Sequence, residues 1–463
     1  MTLWIAALLL AQQTLFQEPR PLNTDPVVES SRDRLRQARD LSRQGSDAIP
    51  QLVMLYDDAN TPVRVEVVRA LAEIGGPRSL DALVKALADP DPEVQIRSTD
   101  GLVNFYLPGY LKTGLSAKLK RVGSAVQARF SESENNDVVP AFVQAREDVI
   151  NGLGGIVSKS VSTESRANAA RAVGILRGRA ASPALIEALR SKDDLLMYES
   201  LVAIQKIHDP AAAPRIAFLL RDLNERIQVK AIETSGMLGN RDALRDLTAL
   251  MDRDRSLKVK RAALAAIAML ADETSRPLLT RYLDDKDDGL RAGAAEGIGR
   301  LRQEGDVPLL EKAFADERKT NPRLSLAFAL VLHGKIELSD FSPLRYLVSN
   351  LNSKAYRGVA QPFLIEASRD VHVLHALHRA IAPGTQGTRE ERTGLAQVFA
   401  ISGDAASATI LQGLTKDPDP EVAAEAIRSS RSPLQCETRV TTRLARCAWD
   451  CRSPPLTRRC APR

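Results

Sequence analysis

Apolar residues along this chain fall in short clusters with helical spacing, and the clusters themselves recur. Val67-Val68-Arg69-Ala70-Leu71-Ala72-Glu73-Ile74-Gly75 matches Ala263-Leu264-Ala265-Ala266-Ile267-Ala268-Met269-Leu270 and Ala295-Glu296-Gly297-Ile298-Gly299-Arg300-Leu301. Each has a small residue, a large apolar one and a further apolar residue three places on. With Leu71 as anchor, equivalent positions are Leu102, Val173, Ile204, Ser235, Ile267, Ile298, Leu330, Leu364, Phe399 and Ser430. Apart from one step of 71 residues, successive anchors are 31 to 35 residues apart. Such a period, without strand-like alternation, predicts one helix pair per repeat.

Fixed offsets from the anchor support that reading. Proline stands 21 residues before it at Pro50, Pro183, Pro214, Pro277 and Pro343, with Pro308 one place off. Proline suits a first helical turn, where its missing N–H costs nothing, and the apolar residues behind it (Leu278, Leu279, Tyr282, Leu283) predict the first helix of each pair. Thirteen residues before the anchor stand Asp58, Asp89, Asp222, Asp254, Asp285, Glu317 and Asp417, a position from which Asp can cap the second helix. Seven residues before it stand Arg64, Arg166, Lys260, Arg291, Arg323, Arg357 and Arg392.

An Asp-turn followed by Arg and then an Ala-Leu-x-x-Leu-Gly run resembles the HEAT repeat, in its short bacterial form known as the phycobilin-lyase HEAT-like repeat. The resemblance covers residues 46–430 apart from one interval. It implies an all-α fold, a right-handed α-solenoid of about eleven to twelve helix pairs. Its Asp and Arg side chains would form ladders between neighbouring units, here Asp58, Arg64, Asp254, Lys260, Asp285 and Arg291. Because acids recur at fixed offset from these bases, a ladder is expected rather than a basic binding stripe. Each helix pair has two apolar flanks and buries them only against its neighbours. The second helices would then line one long concave face suited to an extended protein or peptide partner.

The 71-residue step holds an irregular unit, placed at 111–160. Leu111, Leu115, Leu119, Val122, Val126 and Phe130 share a helical face, and Lys112, Lys118, Lys120, Arg121 and Arg129 decorate the others. A basic amphipathic helix can meet an acidic partner or an anionic membrane. Insertions in regular arrays often carry binding, so these five side chains are a candidate interaction surface. The bland alternative is an elongated repeat with solvated lysines.

Charge changes the picture only at the end of the chain. Of 463 residues, 64 are basic and 58 acidic, a net of +6. Arg431–Arg463 hold eight Arg and two acids, so the excess lies in that tail and the rest of the chain is neutral. This gives no support to nucleic-acid binding, and no aromatic–basic interleaving of the base-stacking kind is present. The tail also holds all four cysteines, Cys436, Cys447, Cys451 and Cys460, spaced poorly for zinc; helical register stops there, and 431–463 reads as a disordered Cys/Arg-rich end. At the other end Leu3–Ala11 is a nine-residue apolar run, too short to span a bilayer and matching the core of a signal peptide over 1–16. An exported protein is expected, with a linker and capping helix at 17–45 and regular repeats at 46–110 and 161–430. An apolar strip docked on the first repeat is the alternative.

Searching for chemistry gives little. Deoxyhypusine hydroxylases, which share the repeat, bind iron through His-Glu pairs; none of the five histidines, His208, His333, His372, His375 and His378, precedes a Glu. His372 and His375 are expected to share a helix face, with His378 rotated away. No phosphate loop or nucleophile elbow occurs. The expectation is a monomeric, non-enzymatic scaffold without cofactor or metal that binds a protein or peptide. An enzyme or accessory of the phycobilin-lyase type is the first alternative and membrane attachment the second.

Overall fold

A computed structural model describes residues 26–111, 137–140, 143–254, 256–381 and 387–430. Among these every regular element is helical, and the fold is an all-α solenoid. Short first helices, such as Ser182–Ala188 and Arg276–Tyr282, alternate with longer second helices. We number the second helices α1 (Thr61–Ile74), α2 (Pro92–Tyr106), α3 (Thr163–Ile175), α4 (Asp194–Ile207), α5 (Glu225–Met237), α6 (Leu257–Leu270), α7 (Asp288–Leu301), α8 (Thr320–Leu332), α9 (Arg357–Ala367), α10 (Arg389–Ser402) and α11 (Pro420–Ser429).

Pro50, Pro183, Pro214, Pro277, Pro308 and Pro343 all sit in the first turn of a first helix, where the lost N–H has no intrahelical partner to lose. Every apolar anchor from Leu71 to Phe399 is buried. With aromatics at 4% of the chain, the core is Leu, Ala, Val and Ile, each large side chain contributing about 1.5–3 kcal/mol on burial.

The caps lie two residues later than the spacing suggested. Asp91, Asp193, Asn224, Ser256, Asp287 and Asp419, eleven residues before their anchors, accept hydrogen bonds from first-turn N–H groups and are the N-caps. The acid at minus thirteen serves them indirectly. Asp89, Asp254, Asp285 and Asp417 each accept the backbone N–H of the capping residue, at 2.8–2.9 Å. That contact bends the chain from the first helix into the second, a local turn typical of Asp.

The described residues fall in two compact units, one within 1–134 with 160–165 and the other within 135–159 and 166–463. In the first, the helix Pro26–Gln44 packs on α1, and α1 on α2. In the second, each second helix from α4 to α11 packs directly on the next. Helix Glu147–Lys159 is the first helix partnering α3, since Arg166 Nε donates to its Val157 carbonyl at 2.6 Å. The 111–160 interval therefore contains one regular first helix, and the extra residues precede it. The segment 1–25, Lys112, Lys118, Lys120, Arg121 and Arg129, and the tail 431–463 with its cysteines lie outside the described residues. Among the described residues no helix is long and apolar enough to cross a membrane.

Candidate interaction face of the second helices

The base seven residues before the anchor joins two repeats. Arg64 Nε and Nη2 donate to the Asp89 carboxylate at 2.8 and 3.1 Å, while Nη1 donates to the Asp58 carbonyl at 3.1 Å. Arg291 repeats this with Glu317 at 2.7 Å and the Asp285 carbonyl at 2.9 Å. Arg392 does so with Asp417 at 3.2 Å and the Gly387 carbonyl at 2.5 Å. One guanidinium thus closes its own inter-helix turn and holds the acid of the next repeat, a use that suits its fork of donors. Burial alone would raise the Asp89 carboxyl, but Arg64, the Asp91 N–H and Tyr56 Oη, 2.9 Å away, hold it below the usual carboxylate range.

A second contact recurs between successive second helices. The residue after one anchor meets the residue before the next. Gly174 faces Ala203, Gly236 faces Ala266 and Gly299 faces Ala329; a methyl on any of these glycines would stand 2.6–2.7 Å from the facing alanine Cα. In two places the order is reversed, as Ala72 facing Gly101 and Ala268 facing Gly297. Each crossing has room for one methyl group.

Two residues past the anchor, Ile175 on α3 and Leu332 on α8 are buried, whereas other second helices carry partly exposed side chains there. In the second unit this row runs Lys206, Met237, Met269 and Arg300 on α4 to α7, and continues with Glu366 on α9. Arg300 and Glu366 make a bidentate pair, Nε and Nη2 to the two carboxylate oxygens at 2.8 and 2.9 Å. The pair spans from α7 to α9 above α8, where Phe328 lies 5.2 Å from the guanidinium and stacks on Phe363 at 4.5 Å. Arg300 Nη1 also donates to Glu296 at 3.2 Å, which accepts Ser325 Oγ at 3.2 Å. Burial pushes the Glu296 carboxyl up in spite of Arg300. On α3 and α4, Arg171 binds buried Glu199 at 3.0 and 2.6 Å. Lys206 Nζ donates to the Asp137 carbonyl at 2.9 Å; burial brings this amine down to about 8, with Glu199 opposing the shift. Met237 and Met269 remain 42% and 43% exposed.

Family models agree with this geometry. The model for HEAT repeats matches residues 29–103 and 247–331, and that for the PBS lyase HEAT-like repeat matches 165–191. These are HEAT repeats. Among curated proteins, the chain is 47% identical over 64 residues to the bilin biosynthesis protein RpcF of Synechococcus and 40% identical over 67 residues to phycocyanobilin lyase subunit beta of Nostoc. Each match covers 14% of this chain, and 31% and 34% of the relatives. The chain thus spans about a third of the length of these curated relatives. Among solved structures, the complex of CpcE and CpcF of phycocyanin lyase from Nostoc is 17% identical with a TM-score of 0.30, covering 65% of this chain and 92% of that one.

The HEAT ladder places the predicted residues unevenly. Arg64 and Arg291 bridge repeats, and Asp58 receives Arg34 of the first helix, Pro26–Gln44. Asp254 is reached by Gln228 at 3.5 Å, which stands where other HEAT repeats carry Arg. Asp285 holds the Asp287 N–H, and Lys260 meets no carboxylate among the described residues. The histidine cluster differs from its expected form. His375 and His378 lie 5.8 Å apart by ring centroid, both 3.9 Å from the Asp404 carboxylate, because residues three apart on a helix are surface neighbours. His378 Nε2 is already bonded to buried Ser407 Oγ at 2.7 Å, and burial lowers its pKa despite Asp404. Among the described residues no three His, Cys, Asp or Glu are placed to hold a metal. Sequence reasoning missed Lys206, Met237, Met269, Glu296, Arg300 and Glu366. Apart from Glu296, which lies two residues before its anchor, their signal was a constant offset of two residues past the anchor.

Proposed function

We propose that this HEAT-repeat protein is a non-enzymatic scaffold that binds a protein or peptide partner on the free face of α4 to α7. One observation carries the reading: two adjacent helices expose Met237 and Met269 at the same position, between charges that are otherwise engaged by their own chain. Exposed, adaptable thioethers on a regular helical surface suit partner recognition. A photocrosslinking residue placed at Met237 or Met269 should capture one partner polypeptide, and Met237→Glu with Met269→Glu should abolish its co-purification. A complex untouched by that pair but lost on deleting the helix bearing Lys112 to Arg129 would move the surface to the insertion.

The lyase-type reading draws on the names of the curated relatives. Purified protein that turns over a bilin, or carries one, would overturn the scaffold assignment. Binding through the insertion to anionic vesicles, weakening with salt, would support membrane attachment instead.

A further inference from the structure

One end of the face formed by the second helices already has an occupant, and it belongs to the chain itself. Residues 137–140 precede the first helix partnering α3 and lie within the second unit. The Val139 N–H donates at 2.9 Å to the carbonyl of Ile175, the last residue of α3. Carbonyls at a helix end have no partner inside the helix, so this one is open to an incoming chain. The Asp137 carbonyl accepts Lys206 Nζ of α4 at 2.9 Å. Ile175 and Lys206 each stand two residues past an anchor. The segment therefore holds the α3 and α4 places of the row that continues with Met237 and Met269.

Burial shows what is covered. Val139 is the one buried residue of the four, and Ile175 beneath its amide is buried too, whereas Met237 and Met269 at the same place on α5 and α6 are exposed. Lys206 fastens the other end. Its stem crosses α3 at Gly174, where an added methyl group would stand 3.4 Å from the Lys206 Cδ. Long side chains of this kind lay their methylenes on the protein and keep the charged head in polar company. The ammonium is attracted by the Asp137 carboxylate and by that of buried Glu199, and repelled by Arg171. Its charge is met from within the chain, in part by the segment it holds.

Resting on the scaffold reading above, we propose that residues 137–140 are an autoinhibitory strap. Docked through Val139 and Lys206, it occupies the α3–α4 end of the partner face. Released, it adds Ile175 and the Lys206 ammonium to the surface that Met237 and Met269 form. A contact made by one short segment opens more readily than a packed helix pair. Covalent attachment keeps the strap docked through an effective concentration on the order of millimolar, which a partner segment must overcome.

The test uses the full chain as wild type, Val139→Ser and Lys206→Gln, with a fluorescein-labelled peptide carrying residues 135–144. In hydrogen exchange the wild-type Val139 amide should open at least about tenfold more often than the interior of α4. Lys206→Gln should raise that opening about fivefold and Val139→Ser further, with the interior of α4 unchanged. By fluorescence anisotropy the peptide should bind Val139→Ser at least about tenfold more tightly than wild type, whose own strap competes. The partner crosslinked at Met237 should be captured from Val139→Ser in at least about threefold higher yield than from wild type. Opening of Val139 only together with α4, equal peptide binding to the two chains, or binding to neither overturns the proposal. So does a lower crosslink yield from Val139→Ser, since the strap would then be part of the partner's site. Equal yields from both chains end the inhibitory role and leave the scaffold reading standing. A strap that releases and is replaced by the peptide, with no partner captured from either chain, removes the scaffold reading instead.

Discussion

At the scale of single residues, the ion pairs of this array differ in what their removal should do. Asp89 is buried, with Arg64, Tyr56 and the Asp91 N–H all donating to it. Removing one side of such a pair strands the other, at a cost of about 3–5 kcal/mol when burial is complete. Arg64 keeps some exposure, so Asp89→Asn should cost about 2–4 kcal/mol at pH 7 in urea unfolding. The folded carboxyl titrates below its unfolded value. Its contribution is therefore present above about pH 4 and lost as pH falls through the folded pKa, so wild type and variant should converge in acid. Glu296 has the opposite sign, because burial raises its pKa. Its favourable contribution exists below about pH 4.3 and is lost as pH rises through the folded value. Glu296→Gln mimics the protonated form and should be neutral or stabilising by up to about 2 kcal/mol at pH 7. Glu366→Gln, which breaks the bidentate contact to Arg300, should instead destabilise by about 1–3 kcal/mol. Equal effects of these two substitutions would show that burial of Glu296 carries no cost.

At the scale of elements, the Gly–Ala crossings separate helix propensity from packing. Alanine is the better helix former by about 1 kcal/mol, so Gly236→Ala would stabilise an isolated α5. Against α6 the new methyl stands 2.7 Å from the Ala266 Cα, and overpacking of backbone by side chain costs about 1–3 kcal/mol or more. A net loss of about 1–2 kcal/mol in denaturant unfolding is expected, and an increase in stability would mean that the crossing yields. The same comparison shows what the sequence could express. The helix pairs, the first-turn prolines and the buried anchors were legible because each repeats with fixed period and residue type. The cap was misplaced by two residues because both the acid at minus thirteen and Asp91, Asp287 or Asp419 at minus eleven are cap-forming types; only hydrogen-bond geometry separates turn from cap. Gly236 and Ala266 are spelled out in the sequence, but that they touch depends on helix-crossing geometry, which periodicity does not contain. The exposed row at Lys206, Met237 and Met269 was hidden for a related reason: a row becomes a surface only once neighbouring helices are set side by side.

At the scale of the whole molecule, a repeat array couples each unit mainly to its neighbours, and local opening should report that coupling. In the second unit, Gly236→Ala should speed amide hydrogen exchange in α5 and α6 and leave α10 and α11 unchanged. The Arg300–Glu366 pair breaks the nearest-neighbour rule, since it joins α7 to α9 across α8. Glu391 is a useful contrast: buried, it is bound by Arg345 at 3.1 Å through both guanidinium ends and by Asn352 at 3.0 Å, all within the preceding repeat. Glu391→Gln should therefore raise exchange only in α10 and in the helix Pro343–Ser349. Glu366→Gln should raise it in α7 as well as α9, because the guanidinium that covered Phe328 loses its far anchor and α8 is uncovered between them. Exchange that changes in α9 alone would mean the bridge is surface decoration without coupling. Exchange that changes in α7, α8 and α9 together would make these three helices one cooperative block within an otherwise pairwise array.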